Sequence, residues 1–101
     1  MLDRLGSQFE TASAGYASEH GIERDPDWFV LKMQEEMGEL TQAWNKFSGR
    51  GRAHGKSNGE LKCLIEDETA DLLGHVLLFA HYHNLDLAQA IERKWHFQVA
   101  L

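Results

Sequence analysis

The sequence predicts an all-α fold, a four-helix bundle formed by residues 1–101 as a single domain. The apolar residues of its longer segments recur at spacings of three and four, which is the helical period. No segment shows the strict alternation of a strand, and the chain contains one proline, Pro26. A chain of 101 residues is long enough for one modest core.

The first two helices are predicted from apolar stripes and one capping signal. Residues 2–19 carry apolar side chains three or four apart, and Asp25 before Pro26 is a typical N-cap followed by a favourable first helical residue. The second helix then runs over residues 26–47. Its predicted apolar stripe consists of Phe29, Met33, Leu40, Trp44 and Phe47.

A loop and two further helices follow. Residues 48–59 contain four glycines and three basic residues without apolar periodicity, which is typical of a loop. Ser57 with Glu60 three residues later predicts a capping box that opens a third helix, ending near residue 83. Asp86 with Gln89 repeats that signature and opens the last helix.

The third predicted helix is too apolar to be covered from one side. Residues 72–80 are apolar nearly all round, and a helix of this kind must be buried on more than one face. A single small bundle covers a helix mainly on one side, so we expect homo-oligomerisation, as a homodimer or homotetramer, to complete the fold.

Charge and composition exclude several classes of function. Sixteen acidic and ten basic residues give a net charge of -6, which argues against a nucleic-acid partner. The longest apolar run, residues 76–80, is too short to span a bilayer, so no membrane partner is expected. A single cysteine, Cys63, and the lack of a signal-peptide pattern predict a cytoplasmic location.

Two acidic clusters carry the functional information. The first is Glu35, Glu36 and Glu39, and the second is Glu68 and Asp71. Each contains a pair of carboxylates three residues apart, a spacing that puts both on one face of a helix. In the second cluster that face is the apolar one, where an ionised carboxylate is costly unless a cation meets it.

Antiparallel packing of the two helices would bring the clusters together. Glu36 and Glu39 flank the stripe of the second helix and can then face Glu68 and Asp71, whereas Glu35 lies farther toward solvent. Four converging carboxylates require a cation, and oxygen ligands favour Mg²⁺, with Mn²⁺ or Ca²⁺ also accommodated. Glu35 is then a second-metal ligand or the general base.

A carboxylate-bound Mg²⁺ typically bridges substrate phosphates and helps to generate a nucleophilic water. Basic residues that could hold phosphate are available in the loop and in the last helix, and two tryptophans that could stack on a base flank the first acidic cluster. These candidates are Arg50, Arg52, Lys56, Arg93, Lys94, Trp28 and Trp44.

With these acids in place, the sequence resembles the MazG-like all-α nucleoside triphosphate pyrophosphohydrolases, whose signature is E-E-x-x-E followed by E-x-x-D. Here the motif reads EEMGE at residues 35–39 and ETAD at residues 68–71. The surrounding segments EEMGEL and ETADLLGHVLLFAHYHNLDL and the lysine of AIERKW are also similar, so the resemblance covers about residues 28–94.

The resemblance implies a Mg²⁺-dependent enzyme that hydrolyses a nucleoside triphosphate to a monophosphate and pyrophosphate, with housecleaning of non-canonical nucleotides as a family-level expectation. It implies four metal ligands, a helper acid at Glu35 and a phosphate contact at Lys94, with Glu35 and Glu36 as the candidate catalytic residues. The implied ligands are Glu36, Glu39, Glu68 and Asp71.

Two alternatives stay open. The segment ADLLGHVL is also similar to phosphoribosyl-ATP pyrophosphohydrolases of histidine biosynthesis, although the doubled acid before Met37 favours the MazG-like branch. The other alternative is a non-catalytic helical module that binds a nucleotide or a partner protein. A di-iron bundle is disfavoured because neither acidic pair ends in histidine.

Overall fold

The computed structural model describes residues 1–100 and contains, within that range, four α-helices and no strand. The all-α prediction is therefore confirmed, and the predicted helix boundaries agree with the observed ones to within one or two residues. The helices are α1 (Leu2–His20), α2 (Pro26–Phe47), α3 (Asn58–Tyr82) and α4 (Leu87–Trp95).

The N-caps predicted from the sequence are present at all three helices, although the reciprocal capping box forms at α3 and not at α4. The Asp25 carboxylate accepts a hydrogen bond of 2.8 Å from the backbone N–H three residues on, at the start of α2. At the start of α3, Ser57 and Glu60 form the reciprocal capping box, with distances of 3.2 and 3.0 Å. Asp86 accepts a 3.0 Å bond from the third backbone N–H of α4. Each bond satisfies a donor that the helix itself leaves free.

A short turn ties α1 to the start of α2. Gly21 ends α1 with φ 65°, a left-handed conformation that glycine adopts without strain. Three residues later, the Arg24 guanidinium binds both carboxylate oxygens of Glu10 at 2.9 and 2.8 Å and the Ser13 hydroxyl at 3.2 Å. A bidentate pair of this kind is more strongly oriented than a single-point ion pair, so it fixes the turn against α1.

The core of the chain is formed by three helices. α3 packs against both α2 and α1, whereas α4 buries no residue and makes few contacts with the other helices. The radius of gyration is 15.9 Å, compared with about 13 Å for a compact domain of this length. The buried apolar residues are Ala17, Phe29, Ala43, Leu61, Leu77, Leu78 and Ala80.

Several large apolar side chains lie outside this core. On α2, Val30, Met37 and Trp44 are exposed and spaced seven residues apart, and on α3 Leu73 and Val76 are exposed. Residues seven apart on a helix lie on one face, so α2 presents an uncovered apolar strip. None of the helices in residues 1–100 combines the length and the apolar character that a bilayer crossing requires.

Candidate metal centre and the adjoining cleft

The contact between α2 and α3 brings the two acidic clusters together. Carboxylate oxygens of Glu36, Glu68 and Asp71 lie within 4.8 Å of one another, and those of Glu35, Glu36 and Glu39 form a second such group. Glu36 belongs to both groups. Three of the four acids predicted to converge, Glu36, Glu68 and Asp71, therefore form one group across the two helices, and Glu39 joins them through Glu36. Their role as metal ligands stays a prediction.

Burial is distributed over these acids differently from the sequence expectation. The second cluster was predicted to lie on the apolar face of its helix, but the buried acid is Glu36 of the first cluster, at 6% exposure, and Glu68 is half-buried. The cause lies on α2, where Phe29 and Ala43 are buried seven residues before and after Glu36, whereas Trp44 is exposed. The small Ala43, rather than Trp44, meets α3, and this rotation turns Glu36 inward.

Burial and mutual repulsion raise the pKa values of the central acids. Burial, then the neighbouring Glu39 carboxylate, raises the pKa of Glu36 to about 7, against a smaller lowering by Lys32. Burial raises the pKa of Glu68 as well, again followed by the effect of Glu39. Each shift reports the cost of holding a charged carboxylate at this position.

Two oxygens of the cluster have no protein partner. Oε2 of Glu36 and Oε2 of Glu68 are buried and accept no hydrogen bond from residues 1–100. Buried polar atoms in folded proteins are nearly always paired, and carboxylate oxygens of this kind are the ligands that hard divalent cations prefer. The donor set therefore fits Mg²⁺ or Mn²⁺.

A lysine that the sequence analysis did not single out lies beside the acids. Lys32 Nζ is 3.2 Å from Oε2 of Glu35 and 3.7 Å from Oε1 of Glu36. Burial alone would lower the pKa of Lys32, but the neighbouring carboxylates outweigh it and raise the pKa. Lys32 precedes Glu35 by three residues and Glu36 by four, and this spacing is the one sequence feature that indicates the contact. The same spacing is common on solvent-exposed helices, so it does not by itself indicate a site.

A cleft of about 540 Å³ opens next to the acidic cluster, between α1, α2 and α3. Its volume lies within the range of about 300–1,000 Å³ that is typical of small-molecule sites, and its walls are mainly apolar. Two of the clustered acids line it as well. The lining residues are Phe9, Ala12, Ser13, Tyr16, Ala17, Ile22, Trp28, Lys32, Glu36, Asp71, Gly74, His75 and Leu78.

His75 and Trp28 lie where the cleft meets the acids. The two rings contact each other edge-on with centroids 5.9 Å apart. Nε2 of His75 is 3.7 Å from Oε1 of Glu36, too far for a hydrogen bond. Burial, followed by the charge of Lys32, lowers the pKa of His75, which favours the neutral form of the ring. A neutral ring offers the cleft one polar nitrogen without adding charge.

The other residues predicted to bind substrate are not brought to the cleft. Of the two tryptophans only Trp28 lines it, whereas Trp44 is exposed and packs beside Phe47. The basic candidates, too, are exposed and absent from the cleft lining. They are Arg50, Arg52 and Lys56 in the loop over residues 48–57, and Arg93 and Lys94 on α4.

The contribution of α1 was missed by the sequence analysis. Phe9, Ser13 and Tyr16 line the cleft, and Tyr16 is 59% exposed although it belongs to the apolar stripe of residues 2–19. An apolar stripe does not distinguish a core face from a cleft wall, so the sequence held no signal for this wall.

The chain was compared with protein-family models, with curated proteins and with solved structures, and none of the three comparisons found a match. The geometry of the acids and the cleft therefore carries the functional argument.

Proposed function

We propose that the chain is a Mg²⁺-dependent nucleotide pyrophosphohydrolase that converts a nucleoside triphosphate to a nucleoside monophosphate and pyrophosphate. The observation that carries the proposal is the pair of buried, unpartnered carboxylate oxygens of Glu36 and Glu68 beside a cleft of nucleoside size. Unpaired buried carboxylates are costly, and a cation that also binds phosphate offsets this cost.

In this proposal the cation is held by the inner set of acids, Glu36, Glu39, Glu68 and Asp71. When bound, Mg²⁺ would neutralise phosphate charge and polarise the phosphorus toward attack. Glu36 belongs to both sets of three clustered acids, and this supports the assignment because one residue links the ligands of α2 with those of α3.

The cleft is proposed to hold the nucleoside. Aromatic rings of Tyr16 and Trp28 line it and can stack on a base, while Ser13 and His75 offer hydrogen-bonding groups. Base stacking on aromatic side chains is worth about 1–3 kcal/mol per base. Because Glu36 also lines the cleft, a nucleoside bound there would have its phosphates next to the acids.

The chain's own residues supply the remaining steps. Lys32 is in position to bind a phosphate oxygen, and Glu35, exposed beside it, can accept the proton of a water that attacks the α-phosphorus. The bond between that phosphorus and the α–β bridging oxygen then breaks, and pyrophosphate leaves with the bonding electrons. Lys94 and the basic loop remain predicted phosphate contacts that lie outside this cleft.

The proposed functional unit is a homo-oligomer, with a homodimer as the smallest form. The exposed strip of Val30, Met37 and Trp44, the extended radius of gyration and the unburied α4 each support a second copy that completes the core. Sedimentation equilibrium should give at least twice the monomer mass of 11.5 kDa. A monomer at all concentrations would contradict this part of the proposal.

The test of the activity is pyrophosphate release from a panel of nucleotides. The panel contains canonical and modified nucleoside triphosphates and phosphoribosyl-ATP, each assayed with Mg²⁺, with Mn²⁺ and with EDTA. We expect cation-dependent release of pyrophosphate and thermal stabilisation of the protein by Mg²⁺ alone. No turnover of any nucleotide, together with no stabilisation by either cation, would overturn the proposal.

A further inference from the structure

One wall of the cleft contains a close contact that only glycine permits. Phe9 of α1 lies directly against the backbone of α3 at Gly74, and both residues line the cleft. A Cβ placed on Gly74 would lie 2.7 Å from Cε1 and 2.9 Å from Cδ1 of the Phe9 ring. Carbon atoms in contact are normally about 3.5–4.0 Å apart, so the ring occupies space that a side chain would otherwise fill.

Gly74 is unfavourable for the helix that contains it. It lies in the interior of α3, where glycine weakens a helix relative to alanine, and its φ is not one that requires glycine. A glycine kept at such a position generally has a packing or functional reason. Here the reason is that the absence of a Cβ lets the Phe9 ring pack against the α3 backbone.

An added Cβ would move the ring toward the open space beside it. The clashing atoms are at the far end of the Phe9 side chain, which can turn, whereas the α3 backbone cannot. A shift of about 1 Å restores normal contact distances. Phe9 lines the cleft, so the cleft offers room for the displaced ring.

We infer that the contact of Phe9 with Gly74 sets the depth of the cleft and leaves it deep enough for a purine base. The pair is then the determinant of the size of base that the cleft accepts. The inference rests on the proposed function, because it takes the ligand to be a nucleotide. The cleft of about 540 Å³ has room for a bicyclic base with its ribose, and the ring of Phe9 would limit how far that base enters.

The test compares purine with pyrimidine nucleotides in four variants. They are Gly74→Ala, which pushes the ring outward, Phe9→Leu, which removes the ring edge, the double variant, and Gly15→Ala as a matched control. Gly15 is a helical glycine of α1 with open space where its Cβ would lie. Two quantities are measured: kcat/KM for ATP against CTP, and equilibrium binding of their non-hydrolysable α,β-imido analogues.

Gly74→Ala should lower the purine-to-pyrimidine ratio at least about tenfold, mainly through KM and binding, because a pocket resolves one methylene by roughly that factor. Phe9→Leu should raise the ratio. The double variant should return to within about twofold of the wild type, since leucine leaves room for the new Cβ. Gly15→Ala should match the wild type, and circular dichroism checks the folding of each variant.

The outcomes separate this inference from the proposed function. If the wild type releases pyrophosphate but the ratio is the same in all variants, the inference is wrong and the proposed function stands. If the wild type binds the analogues without hydrolysing nucleotides, the activity is wrong and the binding ratios alone decide the inference. If it neither binds nor hydrolyses any of them, both are wrong.

Discussion

The acidic cluster of α2 and α3 and the basic loop of residues 48–57 differ in how far their charges are buried. The acids of α2 and α3 are pressed together, with Glu36 buried and its pKa raised to about 7. The cations of the 48–57 loop, by contrast, are exposed and form no ion pair within residues 1–100. The fold therefore maintains the acidic cluster at an energetic cost, whereas the basic loop costs it nothing. A costly arrangement is the better indicator of function.

The largest effect is expected from removing the charge of one carboxylate at the centre of the acidic cluster. Glu36→Gln and Glu68→Gln keep the side-chain volume but lose a ligand charge, so each should lower kcat by about a hundredfold or more. Glu66→Gln changes an exposed acid of α3 outside the cluster and is the matched control. Wild-type turnover in the Glu36 and Glu68 variants would show that the acidic cluster is not the active site.

The cost of the acidic cluster should appear as a pH dependence of stability in EDTA. The pKa of Glu36 is about 7 in the folded chain against its ordinary value of 4.5, so between these pH values the native state retains a proton that the unfolded state has lost. Stability therefore falls as pH rises through this window, by about 3 kcal/mol, and is level above it.

Urea unfolding of the wild type and of Glu36→Gln isolates this contribution. The difference between the two should grow from pH 4.5 to pH 7, with the variant the more stable at pH 7. The subtraction matters because His75 acts in the opposite direction: its pKa is lowered, so it adds stability as pH rises. A constant difference between wild type and variant would contradict the burial cost.

A smaller effect is expected at Lys32, the cation that the acidic cluster does hold. Lys32→Gln should raise KM for the nucleotide about tenfold, since hydrogen bonds to charged groups contribute about 1.5–3 kcal/mol. Lys62→Gln, at an exposed position of α3, is its control. An unchanged KM would mean that Lys32 only neutralises Glu35 and Glu36.

The smallest effect is expected from the exposed cations. Replacing Arg50, Arg52 and Lys56 together by alanine, or Lys94 alone, should raise KM by about threefold at low salt and by less at about 1 M salt, where charges are screened within about 3 Å. Arg4→Ala on α1 removes one positive charge and is the matched control for the Lys94 variant. A rise in KM larger than that of the Lys32 variant would show that the exposed cations, rather than Lys32 beside the acidic cluster, bind the phosphates.

The features that the sequence predicts correctly are those fixed by short spacings. The caps at Asp25, Ser57 and Asp86 depend on residues three apart, and the convergence of the acids follows once two capped helices pack in antiparallel order. The cleft could not be predicted, since it depends on the contact of α1 with α3 at Phe9 and Gly74, far apart in the chain.

The difference between short-range spacing and long-range packing also explains why the apolar stripe predicted for α2 included Trp44, which is exposed, and not Ala43, which is buried. Periodicity identifies a face of a helix but weights a tryptophan above an alanine, whereas close packing of two helices favours the smaller side chain. The inward position of Ala43, and with it Glu36, is thus a property of the helix pair rather than of α2 alone.

The pair formed by Arg24 and Glu10 has a consequence for the order of molecular events. α1 is held mainly by its packing against α3 and by this ion pair. Among the three core helices it therefore has the fewest contacts that oppose its movement away from the other two. An excursion of α1 would carry Phe9 and Tyr16 away while the carboxylates of α2 and α3 kept their register. Under the proposed function, the nucleoside could then depart without displacing the acids that would hold the cation.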